Sequence, residues 1–138
     1  MDDNEFLRAF LAGWPGDKHF GHYEHLRIAW LVIQRHGPEP AAEIVGSRLK
    51  AMAVAKGVAP LYNETMTRFW IGLIDHVGQA TGAATIDQAI DRVPMLLDKN
   101  LAQKHWSRTA MFGPEGRATW VEPDVAALPF SVPRQVAR

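Results

Sequence analysis

The chain has 138 residues, a length that suits one compact domain (residues 1–138) with a single core. Its 15 basic and 15 acidic side chains cancel, so we expect neither nucleic acid nor a membrane surface as a partner. The absence of cysteine excludes disulfides, cysteine-ligated zinc, iron–sulfur clusters and a thiol nucleophile. A metal would therefore need histidine and carboxylate ligands.

The N-terminal stretch "MDDNEFLRAFLAGW" is acidic and lacks the basic beginning of a secretory signal. Arg27, Gln34, Arg68 and Asp75 interrupt the apolar runs well short of the ~18 residues that a membrane span needs. These features predict a cytoplasmic protein.

The first two predicted helices lie before Gly37. Asp3 or Asn4 can cap a helix that runs to about Ala12. The second helix begins near Gly21 or His22 and ends before "HGPEP", where glycine and proline stop it.

The third and fourth helices have equally clear limits. Pro40 suits the first turn of the third helix, "AAEIVGSRLKAMAVAKG", which Gly57 closes. The fourth is predicted to run from about Tyr62 to Gln79 or Ala80, with Gly82 marking its end.

The C-terminal third predicts shorter elements. Thr85 and Gln88 have the spacing of a capping box, so a fifth helix begins there, and Pro94 interrupts it. Short helical turns are expected around "LAQKHWSR" and after Pro114, and the tail "VEPDVAALPFSVPRQVAR" is expected to dock in an extended form. The predicted fold is all-α: an irregular bundle of four to five helices with an extended C-terminal tail.

The stretch "FGHYEHLRIAW" places two histidines on the side of the second helix that should be buried. At 100° per residue, His22 and His25 share a stripe with Leu26, Ala29 and Ile33. Each histidine could simply cap a carbonyl or pack as a half-buried ring. Two of them on one face also indicate a polar site.

The stretch "LYNETMTRFW" directs polar groups inward again. On the fourth helix Asn63 and Thr67 fall within the apolar arc, and Glu64 lies at its edge. Simpler roles remain open: Asn63 as the helix cap, Thr67 bonded to the preceding turn, and Glu64 as a solvated acid favoured by the helix dipole.

Buried polar groups need hydrogen-bond partners, so we expect these groups to find one another. The beginnings of the second and fourth helices would then lie side by side around one cavity. Its polar residues would be His22, His25, Asn63 and Glu64, with Thr67 beside them, and its aromatic lining would come from Trp30, Trp70, and Trp14 or Tyr62.

Three motifs together resemble a group of small bacterial helical proteins of unassigned function. They read "FGHYEHLRIAW", "YNETMTRFW" and "WVEPDVAALP" and are similar to F-x-H-x-x-H-L-x-x-A-W, Y-H-E-T-x-T and W-V-x-P-D-L. The resemblance implies that His22, His25 and Glu64 belong to the family's polar site. The chain departs from the pattern at Asn63, where the family has histidine. Two imidazoles and an amide form a poorer metal site than three imidazoles and a carboxylate.

Three interpretations remain open. The cavity is an enzyme site for acid–base chemistry on a small molecule, with or without a metal. There His22 or His25 would carry the proton, and Glu64 would orient that histidine or act as the base. Asn63 would hold a substrate oxygen. A divalent metal would use the two histidines and Glu64, but Asn63 disfavours it.

In the second interpretation the same pocket binds a small molecule or a metal without chemistry. In the third, the histidines only pack and the protein acts through its surface on another protein. The first two interpretations require a cavity that reaches solvent at His22, whereas the third requires a sealed core there. The sequence indicates no substrate, cofactor or oligomeric state, and it leaves His105, Ser107 and Arg108 without a role.

Overall fold

The computed structural model describes residues 1–134, and within them every regular element is a helix, which confirms the all-α prediction. In chain order the helices are α1 (Asp3–Ala12), α2 (His22–His36), α3 (Pro38–Ala55), α4 (Glu64–Thr81), α5 (Ile86–Arg92), α6 (Arg108–Phe112) and α7 (Pro114–Ala118). Single 3-10 turns lie at Ala59–Leu61, Pro94–Leu97 and Leu101–Lys104. The final part of the predicted tail, residues 135–138, lies outside the described residues.

Helices α1 and α4 each begin after a polar side chain that lies in extended backbone and accepts an amide hydrogen. The carboxylate of Asp2 caps α1, one residue before the earliest predicted cap, Asp3. Asn63 caps α4, which begins at Glu64 and not near Tyr62. In each case the capping residue itself stays outside the helix.

Other boundaries follow the predicted signals. Gly37, at φ +82°, ends α2 and directly precedes α3, and Gly82, at φ +65°, ends α4 in the left-handed conformation that favours glycine. Thr85 caps α5 by accepting from the Gln88 amide at 3.1 Å. The side-chain oxygen of Gln88 accepts from the amide of Ala84, which is one residue before the Thr85 cap.

Helices α2, α3 and α4 pack on one another and form the centre of the molecule. The tight link at Gly37 turns α3 back along α2, and the turn Ala59–Leu61 turns the chain again, so that α4 runs parallel to α2. Helix α1 packs on α2, where Phe10 stacks with Phe20 at a ring distance of 5.7 Å. This arrangement brings the beginnings of α2 and α4 to the same end of the bundle.

Two contacts define how far α4 is shifted along α2. The His22 ring meets the Trp70 ring, and Trp30 packs over Gly78, where a Cβ atom would come within 3.1 Å of the indole. Both contacts give the same register, by which α4 begins about six residues, or roughly 9 Å, before α2. The first turn of α4 therefore lies beyond the first turn of α2.

The chain from Thr119 to Arg134 is extended and docks against α4, as predicted. The Phe130 ring packs on Phe69 at a centroid distance of 6.0 Å. Gly72 lets the backbone of this segment cross closely, because a Cβ atom there would lie 2.9 Å from the Val132 side chain.

Candidate functional site

A cavity of about 570 Å³ lies between the beginnings of α2 and α4 and the end of α3. Small-molecule sites commonly have this size. The cavity opens to solvent, since Leu61 on its wall is 74% exposed. Its wall is largely apolar, with Phe20, Leu26, Val45, Leu49, Met66 and Trp70 among the contributors. Its polar lining residues are His22, His25, Lys56, Tyr62, Asn63, Thr67 and Lys99.

His22 is the first residue of α2 and is half-buried on the cavity wall. Its Nε2 atom lies 2.7 Å from the carbonyl oxygen of Leu96. Because a carbonyl only accepts, Nε2 carries the hydrogen and donates, and Nδ1 keeps the lone pair in the neutral ring. The ring packs edge-on against Trp70 at 4.8 Å, so its orientation is fixed on two sides.

His25 is fixed in the opposite tautomer. Its Nδ1 atom donates to the carbonyl oxygen of Gly21 at 2.7 Å, which leaves Nε2 as the lone-pair nitrogen. The residue is exposed through the open cavity, yet the protein atoms around it still remove much of the water that would solvate a charge. This desolvation lowers the pKa of His25, with a smaller contribution from His22 and partial opposition from the Gly21 hydrogen bond.

Asn63 lies on the cavity wall with both ends of its amide engaged. Its oxygen accepts from the Met66 amide at 3.0 Å, and its nitrogen donates to the carbonyl oxygen of Met111 at 2.7 Å. Asn63 therefore caps α4, a role that the sequence left open, and its second hydrogen bond connects α4 to α6. The engaged amide leaves Asn63 less free to hold a substrate oxygen.

Tyr62 and Thr67 also lie on the cavity wall. The Tyr62 hydroxyl donates to Glu64 at 2.8 Å, and burial is the main reason that the pKa of Tyr62 is raised. Gly46 of α3 permits this placement, because a Cβ atom there would lie 2.7 Å from the Tyr62 hydroxyl oxygen. Tyr62 therefore remains a neutral phenol.

Glu64 is buried but does not line the cavity. Its second oxygen accepts from the Nε atom of Arg68 at 2.8 Å, one helical turn further on. The Arg68 side chain is only 2% exposed, and it also binds Glu43 at 2.7 Å. Glu64 thus forms a buried ion pair.

The predicted hydrogen bonds among His22, His25, Asn63 and Glu64 are not among the bonds of residues 1–134, because each group has a different partner. The shift of α4 along α2 explains this difference. His22 lies level with Trp70, which is more than a turn beyond Asn63 and Glu64. Both histidines and Asn63 nevertheless line one cavity, as predicted.

The aromatic residues divide between the cavity and the core. Trp70 and Tyr62 line the cavity, whereas Trp30 is buried against Gly78 and Trp14 packs on Phe6 of α1. The prediction that Trp30 lines the cavity is therefore corrected. Its indole packs on Gly78 of α4, about two helical turns beyond the contact between His22 and Trp70.

Sequence reasoning missed the two charged residues of the cavity wall, Lys56 and Lys99. Lys56 caps the end of α3, and Lys99 follows the turn that carries Leu96, the partner of His22. Each lysine comes just after a helix or a helical turn has ended, so helical periodicity does not relate its position to α2. Only the predicted end of α3 at Gly57 could have indicated that Lys56 lies at this end of the bundle.

The polar residues do not fit a metal ion. Across residues 1–134 no three His, Asp or Glu side chains are grouped so as to hold one. Glu64 is occupied by Arg68, and the amide of Asn63 faces Met111. The candidate ligand set therefore reduces to His22 and His25, and we derive no step through a metal.

The residues around His105 serve the tail. Ser107 caps α6 and, through its amide and hydroxyl, donates to Asp124 at 2.7 and 2.6 Å. His105 lies 3.0 Å from the carbonyl oxygen of Ala126 through its Nδ1 atom. Arg108 stacks over the Phe112 ring at 5.5 Å. None of the three lines the cavity between α2 and α4.

Comparison with known proteins gives no match to a family model, to a curated protein or to a solved structure. None of the helices in residues 1–134 has the length and apolar character that crossing a bilayer demands.

Proposed function

We propose that the cavity binds a small molecule and that His25, with His22 beside it, carries out acid–base chemistry on that molecule. The main support for this proposal is the tautomer of each imidazole, which a hydrogen bond fixes. Each ring donates one N–H to a main-chain carbonyl, which fixes its tautomer and keeps the other nitrogen as a proton acceptor. The lowered pKa of His25 favours the neutral ring at pH 7, the form in which an imidazole acts as a base.

The other wall residues would position the substrate. Thr67 and Tyr62 form part of the wall, and the apolar surfaces of Trp70 and Leu26 would exclude water from the bound molecule. Glu64 has a structural role in this proposal, since its charge is already paired with Arg68. The general-base role that the sequence suggested for Glu64 thus passes to His25.

Binding without chemistry is a second candidate, and one observation favours it. No Asp or Glu side chain of residues 1–134 is on the cavity wall, so neither histidine has a carboxylate to relay its proton. A pure binding site would still need the open cavity at His22.

We further propose that the protein is a cytoplasmic bacterial protein of the helical group that its motifs resemble. The balance of 15 basic and 15 acidic residues supports a small molecule, and not nucleic acid or a membrane, as its partner.

The test compares wild-type protein with His25→Gln in a mixture of bacterial metabolites, in which mass spectrometry records both compounds retained and compounds consumed. His36→Gln is the matched control, because His36 is an exposed histidine at the far end of the same helix. We expect wild type and His36→Gln to consume the same compound and His25→Gln to retain it without consuming it. Retention without consumption by all three proteins would support the binding candidate, and identical consumption by all three would refute a role for His25.

A check on stability accompanies this experiment. We expect His22→Asn and His25→Asn to change the melting temperature by only a few degrees, because residues placed for function are often neutral or costly to the fold. Unfolding of both variants would favour the packing interpretation instead.

A further inference from the structure

We propose that the cavity selects an amphipathic anion: a molecule with an apolar chain or ring and one carboxylate. This inference rests on the proposed function of the cavity as a small-molecule site and specifies the class of its ligand. It depends on the charges around the cavity and on the chemistry of its rim.

The charged side chains on the cavity wall all have the same sign. Lys56 and Lys99 line it, and both are exposed. Neither ammonium group takes part in an ion pair with the described residues. Since no carboxylate of residues 1–134 is on the same wall, the two ammonium groups can attract an anionic ligand to the cavity.

Two helix beginnings add to the positive potential. Gly21 and His22 at the start of α2 line the cavity, and so does Asn63, the cap of α4. These helices are 15 and 18 residues long, and the positive ends of their dipoles converge on the same space.

The acids nearest to those helix beginnings are already engaged. Glu24 accepts from the Gly21 amide at 2.8 Å and lies 3.5 Å from His19. Glu64 is held by Arg68. Neither carboxylate is on the cavity wall, so neither is placed to neutralise the lysines across it.

The rest of the ligand must be apolar. Val58 and Leu61 line the cavity and are 37% and 74% exposed, so apolar side chains also form its rim. A simple inorganic anion would leave this surface in contact with water, whereas an apolar chain would cover it. The combination of an apolar rim and unpaired lysines is complementary to a carboxylate that carries a hydrocarbon group.

The probes are decanoate, decanol and decyltrimethylammonium, each below its micelle concentration, which differ in charge but share the ten-carbon chain. Binding is followed by the NMR signals of the Trp70 indole and the His22 ring. We expect decanoate to bind about tenfold more tightly than decanol, from two lysines and two helix dipoles, and the cation to bind most weakly.

The double variant Lys56→Gln/Lys99→Gln should lower decanoate affinity about threefold to fivefold, because the two helix beginnings remain, and leave decanol affinity unchanged. Lys50→Gln is the matched control, since Lys50 is an exposed lysine of α3 that does not line the cavity. Equal binding of decanoate and decanol to wild type would overturn the anion inference and leave a small-molecule cavity. Binding of none of the three probes would overturn the inference and count against the proposed function as well. A loss of affinity in Lys50→Gln as large as in the double variant would also overturn it.

Discussion

The buried ion pair between Glu64 and Arg68 gives the sharpest prediction about the fold. Arg68→Met removes a cation that is 2% exposed and leaves the Glu64 carboxylate, 12% exposed, without its charged partner. The Tyr62 hydroxyl remains as a hydrogen-bond donor to Glu64 but carries no charge. An uncompensated buried charge costs about 3–5 kcal/mol, so we expect the free energy of unfolding to fall by that amount.

The outer ion pair of Arg68 contributes much less. Glu43 is 65% exposed, and ion pairs at such positions contribute at most about 1 kcal/mol. Glu43→Gln therefore serves as the matched control, since it removes the other carboxylate bound to the same guanidinium. Nearly all of the unfolding free energy lost in Arg68→Met should therefore come from the unpaired carboxylate of Glu64.

Urea unfolding followed by circular dichroism measures these differences, and a loss of 3–5 kcal/mol corresponds to roughly 10–20 °C in melting temperature. The double variant Glu64→Gln/Arg68→Met should recover at least about 2 kcal/mol, because it buries no unpaired charge. A loss below about 1 kcal/mol in Arg68→Met, or a double variant no more stable than that single one, would refute the reasoning.

Three further predictions concern the tail, the α4 cap and a histidine. Deleting the residues after Glu122 should lower the melting temperature by several degrees, as ~1–2 kcal/mol of apolar contact is lost; an unchanged melting curve would contradict the docking. Asn63→Ala should lower the free energy of unfolding by about 1–2 kcal/mol in urea, and Asn100→Ala, an exposed control, should not. Because the pKa of His25 is lower in the folded protein, its contribution to stability is present above pH ~6.5 and is lost on acidification. His25→Gln should therefore flatten the fall in unfolding free energy from pH 7 to 5, and an equal effect of His36→Gln would refute this assignment.

The sequence was most informative where structure depends on neighbouring residues. Gly37, Gly82 and Thr85 end or begin helices by local backbone chemistry, and all three were found at the predicted places. The inward direction of His22 and Asn63 followed from helical periodicity in the same way.

The sequence was least informative about distances between helices. Periodicity places Asn63 and His22 on facing surfaces but says nothing of the roughly 9 Å shift that separates the first turns of α4 and α2. The pairing of Glu64 with Arg68, by contrast, has a signal in the sequence, because the two residues have the i, i+4 spacing of an ion pair on one helix face. Lys99 reaches the cavity only because the chain returns there after α5.

The hydrogen bonds of Thr65 have a consequence for the order in which the protein can fold during synthesis. Thr65 lies fully buried in the first turn of α4, and its hydroxyl bonds to the carbonyl oxygens of Gly116 and Thr119 and to the amide of Val121. Those partners are made more than fifty residues later. While the ribosome adds them, the hydroxyl of Thr65 and the surface of α4 around Gly72 stay open to water. Native packing of this face of α4 therefore waits for residues 116–132, whereas the contacts of α4 with α2 and α3 need only residues that are made earlier.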